Sequence, residues 1–79
     1  MNTLKVKPNP LITDVSFNEN SMIVSLADGR NVSVPIEWFP KLSDASKSER
    51  ENWRLIGNGI GIHWESIDED ISVETLLRM

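Results

Sequence analysis

The side chains able to do chemistry gather in the last third of the chain, residues 57–79, which read GNGIGIHWESIDEDISVETLLRM. Here the single histidine, His63, stands next to Trp64 and ahead of Glu65, Asp68, Glu69 and Asp70. A histidine with carboxylates could form an acid–base pair or ligate a metal. A catalytic zinc site takes three protein ligands in good geometry, and His63 with Asp68, Glu69 and Asp70 meets no recognised ligand spacing. Gly59 and Gly61 share the strand face of His63 and would leave its imidazole bare. The plainer reading, a half-exposed histidine bonded to a neighbouring carboxylate, is preferred. The run Asp68-Glu69-Asp70 lacks the ligand spacing and central glycine of a calcium loop. It reads as a solvated loop ahead of a helix, where the helix dipole favours carboxylates.

Two other constellations invite a chemical reading. Gly57-Asn58-Gly59-Ile60-Gly61 is glycine-rich, but a phosphate-binding fingerprint follows a strand and opens a helix. These glycines follow a predicted helix and enter a strand, so Gly57 reads as a helix C-cap, Gly59 as a turn and Gly61 as a close backbone approach. Lys47, Arg50 and Arg54 fall at i, i+3 and i+7 on a predicted helix, with Lys41 nearby. They could make a small basic patch. Glu49 and Glu51 dilute it, and a solvated helix face is the plainer reading. Trp38, Trp53 and Trp64 are read as core rather than as a ligand cage. Trp38-Phe39, in a proline-flanked loop, is the pair expected at the surface, where it would be a partner hot spot. No catalytic residue, metal ligand or cofactor is expected.

The elements that must position these groups follow from pattern. Leu11, Thr13, Val15 and Phe17 alternate with Ile12, Asp14 and Ser16, a strand period. Asn18-Glu19-Asn20-Ser21 is a turn by composition. Met22, Val24 and Leu26 share a face of the second strand, and Val32, Val34 and Ile36 a face of the third. A three-residue loop, Ala27-Asp28-Gly29, sets Val24 opposite Val32 and Met22 opposite Val34, which keeps the apolar side chains together. The four-residue turn likewise sets Phe17 opposite Met22 and Val15 opposite Val24. Pro35 ends the third strand or confines it to an edge.

Trp38, Phe39 and Leu42 then occupy an irregular segment broken by Pro40. Ser46 and Glu49 form a capping box for a helix over 47–56 that stops at Gly57, with Trp53 and Ile56 inward. Residues 59–64 read as a fourth strand with Ile60, Ile62 and Trp64 on one face. Ser72 caps a terminal helical turn with Glu74 in its first turn and Val73, Leu76 and Leu77 as apolar contacts. The expected fold class is α+β: a three-stranded antiparallel meander, a helix, a fourth strand and a short C-terminal helix. Residues 1–10 read as an extended lead-in and 11–79 as a single domain.

Bulk composition bounds the function. A core in 79 residues supplies only roughly 3–5 kcal/mol of net stability, so partner binding or homodimerisation would help. There is no cysteine, which excludes disulfides, thiol catalysis and thiolate metal sites and fits a reducing cytosol. No apolar run approaches the roughly 18 residues of a membrane span, and no signal-peptide core precedes Pro8. A cytoplasmic protein without membrane attachment is expected. The net charge of -4 arises entirely in residues 57–79, since residues 1–56 carry seven basic and seven acidic side chains. Such a chain is a poor general phosphate binder, and its acidic end suits a basic partner.

Five segments together resemble the DUF2442 family of small bacterial proteins. They are Leu26-Ala27-Asp28-Gly29-Arg30, Val34-Pro35-Ile36-Glu37-Trp38-Phe39-Pro40-Lys41-Leu42, Glu49-Arg50-Glu51-Asn52-Trp53-Arg54-Leu55-Ile56-Gly57, Gly59-Ile60-Gly61-Ile62-His63-Trp64, and Asp68-Glu69-Asp70-Ile71-Ser72-Val73 with Leu76-Leu77. The match runs in order over about residues 11–77. The resemblance implies a small α+β domain of unknown function. Some relatives carry an added helix-turn-helix domain, for which this chain is too short. Members look like partners of a second small protein family, similar to toxin–antitoxin pairs. No catalytic residue is established for the family, so none is carried over.

The expected function is a non-enzymatic, antitoxin-like interaction domain that binds a second small, basic protein. Its contacts would be Trp38, Phe39, His63, Glu65, Asp68, Glu69 and Asp70. The alternative is a nucleic-acid-associated regulator using Lys41, Lys47, Arg50 and Arg54, with a dimer doubling the patch, and the acidic balance weighs against it. A metal-dependent enzyme around His63, Asp68 and Asp70 is the third reading.

Overall fold

The computed structural model of the protein describes residues 7–79, and the first six residues of the expected lead-in lie outside them. Strands β1 (Ile12–Phe17), β2 (Ser21–Leu26) and β3 (Asn31–Pro35) form an antiparallel sheet in that order. The register is the expected one: Phe17 faces Met22, Val15 faces Val24, Val24 faces Val32 and Met22 faces Val34. The Asn18 carboxamide oxygen accepts the amides of Asn20 and Ser21 at 2.9 and 2.7 Å. It supplies the turn with the partners that the strands cannot. At the other hairpin Gly29 takes φ +95, which an L side chain rarely adopts. One face assignment changes. Ile12, not Leu11 or Thr13, enters the core, because the register shifts between Ile12 and Asp14. A bulge there turns the start of the strand over.

The chain after Pro35 is more regular than expected. Ile36–Trp38 forms a 3-10 turn, and Pro40 opens helix α1 (Pro40–Ser43) instead of breaking the segment. Proline suits the first helical position, where its missing N–H has no partner to lose. The Ser46–Glu49 capping box is present at helix α2 (Lys47–Glu51). That helix is half the expected length. Trp53–Ile56 is strand β4, and Gly57 sits in a hairpin rather than at a helix C-cap. Gly57 and Asn58 both take positive φ, +52 and +62, and the Gly59 amide donates to the Ile56 carbonyl at 3.0 Å. This is the pattern of a type I′ turn, whose twist matches paired strands. The fourth predicted strand is β5 (Gly61–Trp64), shortened because Gly59 and Ile60 belong to the turn, and Ile60 is exposed. The acidic run is not a free loop either. Glu69–Ser72 is strand β6, drawn into the sheet by Ile71, which is buried opposite Ile62.

The second sheet, β4-β5-β6, is antiparallel like the first. Its inner face carries Leu55, Ile62, Trp64 and Ile71, its outer face Arg54, Gly61, His63 and Asp70, as strand alternation requires. Helix α3 (Val73–Arg78) follows β6 directly, with the Ser72 hydroxyl accepting the Thr75 amide at 3.1 Å. Val73 and Leu76 are buried, but Leu77 points out. Both apolar sheet faces, Leu42 of α1 and Leu76 of α3 share one core. Among the described residues the Ile12 amide links the sheets by donating to the Gly59 carbonyl at 2.8 Å, and the start of α3 is held on the β4–β5 turn by the Val73 amide, which donates to the Ile60 carbonyl at 2.9 Å. No described helix is long and apolar enough to cross a membrane.

Candidate functional site

The outer face of the second sheet is where charged side chains converge. Cross-strand pairing aligns Arg54 of β4, His63 of β5 and Asp70 of β6 in one row. Opposed side chains in a sheet lie within reach of each other. His63 Nδ1 is hydrogen-bonded to Asp70 Oδ1, and Nε2 lies 3.3 Å from Glu65 Oε2. Glu65 also lies 3.9 Å from the Arg54 guanidinium. The hydrogen bond that the ring donates to the Asp70 carboxylate holds the imidazole pKa above the ordinary 6.5, while partial desolvation and the Arg54 charge push the other way. The side chain is 18% exposed, so the glycines on its face do not leave it bare; the carboxylates cover it. Asp68 and Glu69 take no part in this cluster, although the sequence grouped them with His63. Among the described residues no group of three or more His, Cys, Asp or Glu could hold a metal ion.

Asp68 has a different place. It sits in the tight turn between β5 and β6 at φ +51, a left-handed conformation that Asp tolerates better than most residues. Lys41 Nζ donates to its carbonyl at 2.8 Å. That bond ties α1, and with it the segment carrying Trp38, to the acidic turn. Trp38 is 54% exposed, as expected, but Phe39 is not its surface partner: Phe39 is 8% exposed and belongs to the core. Trp38 ends the 3-10 turn at the surface, whereas Phe39, the residue that leads into α1, packs inward. Glu65, Asp68 and Asp70 are exposed, and Glu69 is half-buried with its carboxylate accepting the Asp70 amide at 3.1 Å.

The four cations do not form a helix face. Only Lys47 and Arg50 lie on α2; Arg54 is on β4 beside Glu65, and Lys41 is engaged with Asp68. Arg50 is a structural residue. Its Nε donates to the Leu42 carbonyl at 2.8 Å and its Nη2 to the Ser43 carbonyl at 3.1 Å, closing the C-terminal end of α1. Its own carbonyl accepts the Trp64 indole N–H at 2.9 Å, so Trp64 is fully buried with its polar atom partnered. A groove of 380 Å³ beside Arg50 also has Glu19 and Glu37 in its walls, which makes it a poor anion site. No sequence motif announces this role of Arg50, because its partners are main-chain carbonyls eight and seven residues away.

A second missed anchor is Asp28. Its side chain is only 4% exposed, although it stands at the surface in the β2–β3 loop. Bonds from the Arg30 side chain and from the Asn9 amide hold its carboxyl down to about 2. The Asn9 bond fastens the entering chain to the hairpin. The signal was the Asp28-Gly29-Arg30 triplet, read as a turn without its ion pair.

Comparison with known proteins gives a fold and a family. The sequence profile of DUF2442, a protein of unknown function, matches residues 12–79. A protein of unknown function from Rhodospirillum rubrum, solved by crystallography, superposes with a TM-score of 0.76 at 26% identity, covering 86% of this chain and 84% of the other. An uncharacterised protein from Chromobacterium violaceum, solved by NMR, shares the fold with a TM-score of 0.74 at 18% identity, covering 86% of this chain and 64% of the other. No curated protein sequence matches.

Proposed function

Because the chain belongs to the DUF2442 family of proteins of unknown function, its role has to be read from its own surfaces, and we propose that it is a non-enzymatic interaction domain for a small basic protein. The observation that carries this reading is the β5–β6 hairpin, which presents the exposed carboxylates of Glu65 and Asp68 in its tight turn and that of Asp70 on strand β6, all framed by paired strands. A rigid display lowers the entropy lost on binding. Lys41 fastens this turn to the segment bearing the exposed Trp38, which supplies an apolar anchor of the kind that dominates interfaces. The antitoxin-like pairing implied by the resemblance fits such a surface, and the cytosol is the compartment we assign.

The test is capture of partners from host lysate on the tagged protein, in parallel with a Glu65→Gln, Asp68→Asn, Asp70→Asn variant. Asn is chosen at position 68 because it tolerates the left-handed backbone there. A small basic protein held by the parent and lost from the variant is the expected result. Equal recovery on both would overturn the proposal, and recovery of nucleic acid alone would favour the regulator.

A further inference from the structure

We propose that His63 is a proton-operated latch on the acidic surface: charged, it holds Glu65 and Asp70 to itself; neutral, it releases carboxylate charge to a cationic partner. This rests on the interaction reading above and adds regulation to it. The observation is that each ring nitrogen of His63 faces a different carboxylate, Nδ1 that of Asp70 and Nε2 that of Glu65. Carboxylate oxygens only accept hydrogen bonds, so both contacts are satisfied together only by the imidazolium. A neutral ring carries one N–H and can serve one carboxylate, leaving a lone pair against the other. The second carboxylate is then turned out to solvent.

The charges around the latch point the same way. Asp70 comes from β6, Glu65 from the β5–β6 turn and Arg54 from β4, and Arg54 also reaches Glu65. With His63 protonated, these four groups sum to zero, which offers nothing to a cation. With His63 neutral they sum to one negative charge, on carboxylates 77% and 68% exposed. A lysine or arginine of the partner competes with the His63 proton for the same oxygens. By linkage, a proton that weakens partner binding is itself weakened by the partner. No other histidine is present to confuse the response near neutrality.

The experiment uses the full chain and an N-acetylated oligolysine peptide as the cationic probe, at constant ionic strength. Binding is measured at about pH 5.5 and about pH 7.5, across the ordinary histidine range. The expected result is tightening by about fivefold or more at the higher pH, absent in His63→Gln. In the wild-type protein, NMR titration of the imidazole should give a lower His63 pKa with saturating peptide than without. That second readout needs no variant to fold. Binding that is lost in Glu65→Gln, Asp70→Asn but equal at both pH values would overturn the latch and leave the interaction reading standing. Failure of the peptide to bind at either pH, or undiminished binding to that double variant, would overturn the interaction reading and the latch with it.

Discussion

His63 and Gly59 show how much a single position decides here. The folded pKa of His63 is raised, chiefly by Asp70. A raised pKa contributes stability that is fully present below the unfolded value, near 6.5, and is lost as pH rises through the folded value. The gap in melting temperature between wild type and Asp70→Asn should therefore be widest below about pH 6 and narrow toward about pH 8. Thermal unfolding across that range checks this, and a constant gap would assign Asp70 a purely structural role. Asp28 works in the opposite sense. Its folded pKa is depressed to about 2, so what it contributes is present above the unfolded value and lost only in strong acid. At Gly59, φ is +109 and an added Cβ would stand 2.4 Å from the Ile12 carbonyl oxygen, at the point where the two sheets are joined. Gly59→Ala should cost about 3 kcal/mol. Gly29→Ala, also at positive φ but with nothing within 4 Å, should cost about 1 kcal/mol from backbone strain alone. Denaturant melts of the two variants separate the clash from the strain.

At the scale of elements, the first sheet was legible because its hairpins are written in local chemistry. Asn18 and Asp28-Gly29 fix the turns, and alternating apolar residues fix the register around them. The second sheet was hidden by a competing signal. Ser46 and Glu49 announce a helix correctly, and nothing apolar at helical spacing contradicts its extension through Trp53 and Ile56. The Gly57-Asn58 pair that closes the β4–β5 hairpin is itself a hairpin signal, but a glycine after an assumed helix reads equally as its cap. What ends α2 is tertiary: Trp53 and Leu55 pack on the core only if the chain straightens after Asn52. Of the site, the acidic residues and a half-exposed histidine bonded to a neighbouring carboxylate were legible, but which carboxylate was not, since the pairing of His63 with Asp70 depends on the strand that was missed. Arg50 was misread as surface charge. Arg50→Lys keeps the charge but loses the fork that spans the Leu42 and Ser43 carbonyls, and should destabilise the protein by about 1.5 kcal/mol. Lys47→Ala, on the exposed side of the same helix, should be close to neutral. Melts of both variants check whether the helix is held by its arginine or merely decorated by it.

For the whole molecule, charge placement separates association rate from fold. Residues 57–79 carry the entire net charge of -4, and the β5–β6 hairpin holds three exposed carboxylates, Glu65 and Asp68 in its turn and Asp70 on β6. A localised field of one sign steers an oppositely charged partner and raises the rate of encounter, and salt screens it. Position and total charge can be told apart with two variants. Glu65→Gln, Asp68→Asn, Asp70→Asn and Asp14→Asn, Glu19→Gln, Glu37→Gln each remove three exposed carboxylates and change the net charge equally. The first set should slow association with an oligolysine peptide by about tenfold at low salt, the second by less than about twofold. The difference should fade as the screening length falls to about 3 Å near 1 M salt. Stopped-flow rates over a salt series measure this. Equal slowing by the two sets would mean that the protein attracts cations only through its overall charge, and the hairpin would lose its claim to be the docking surface.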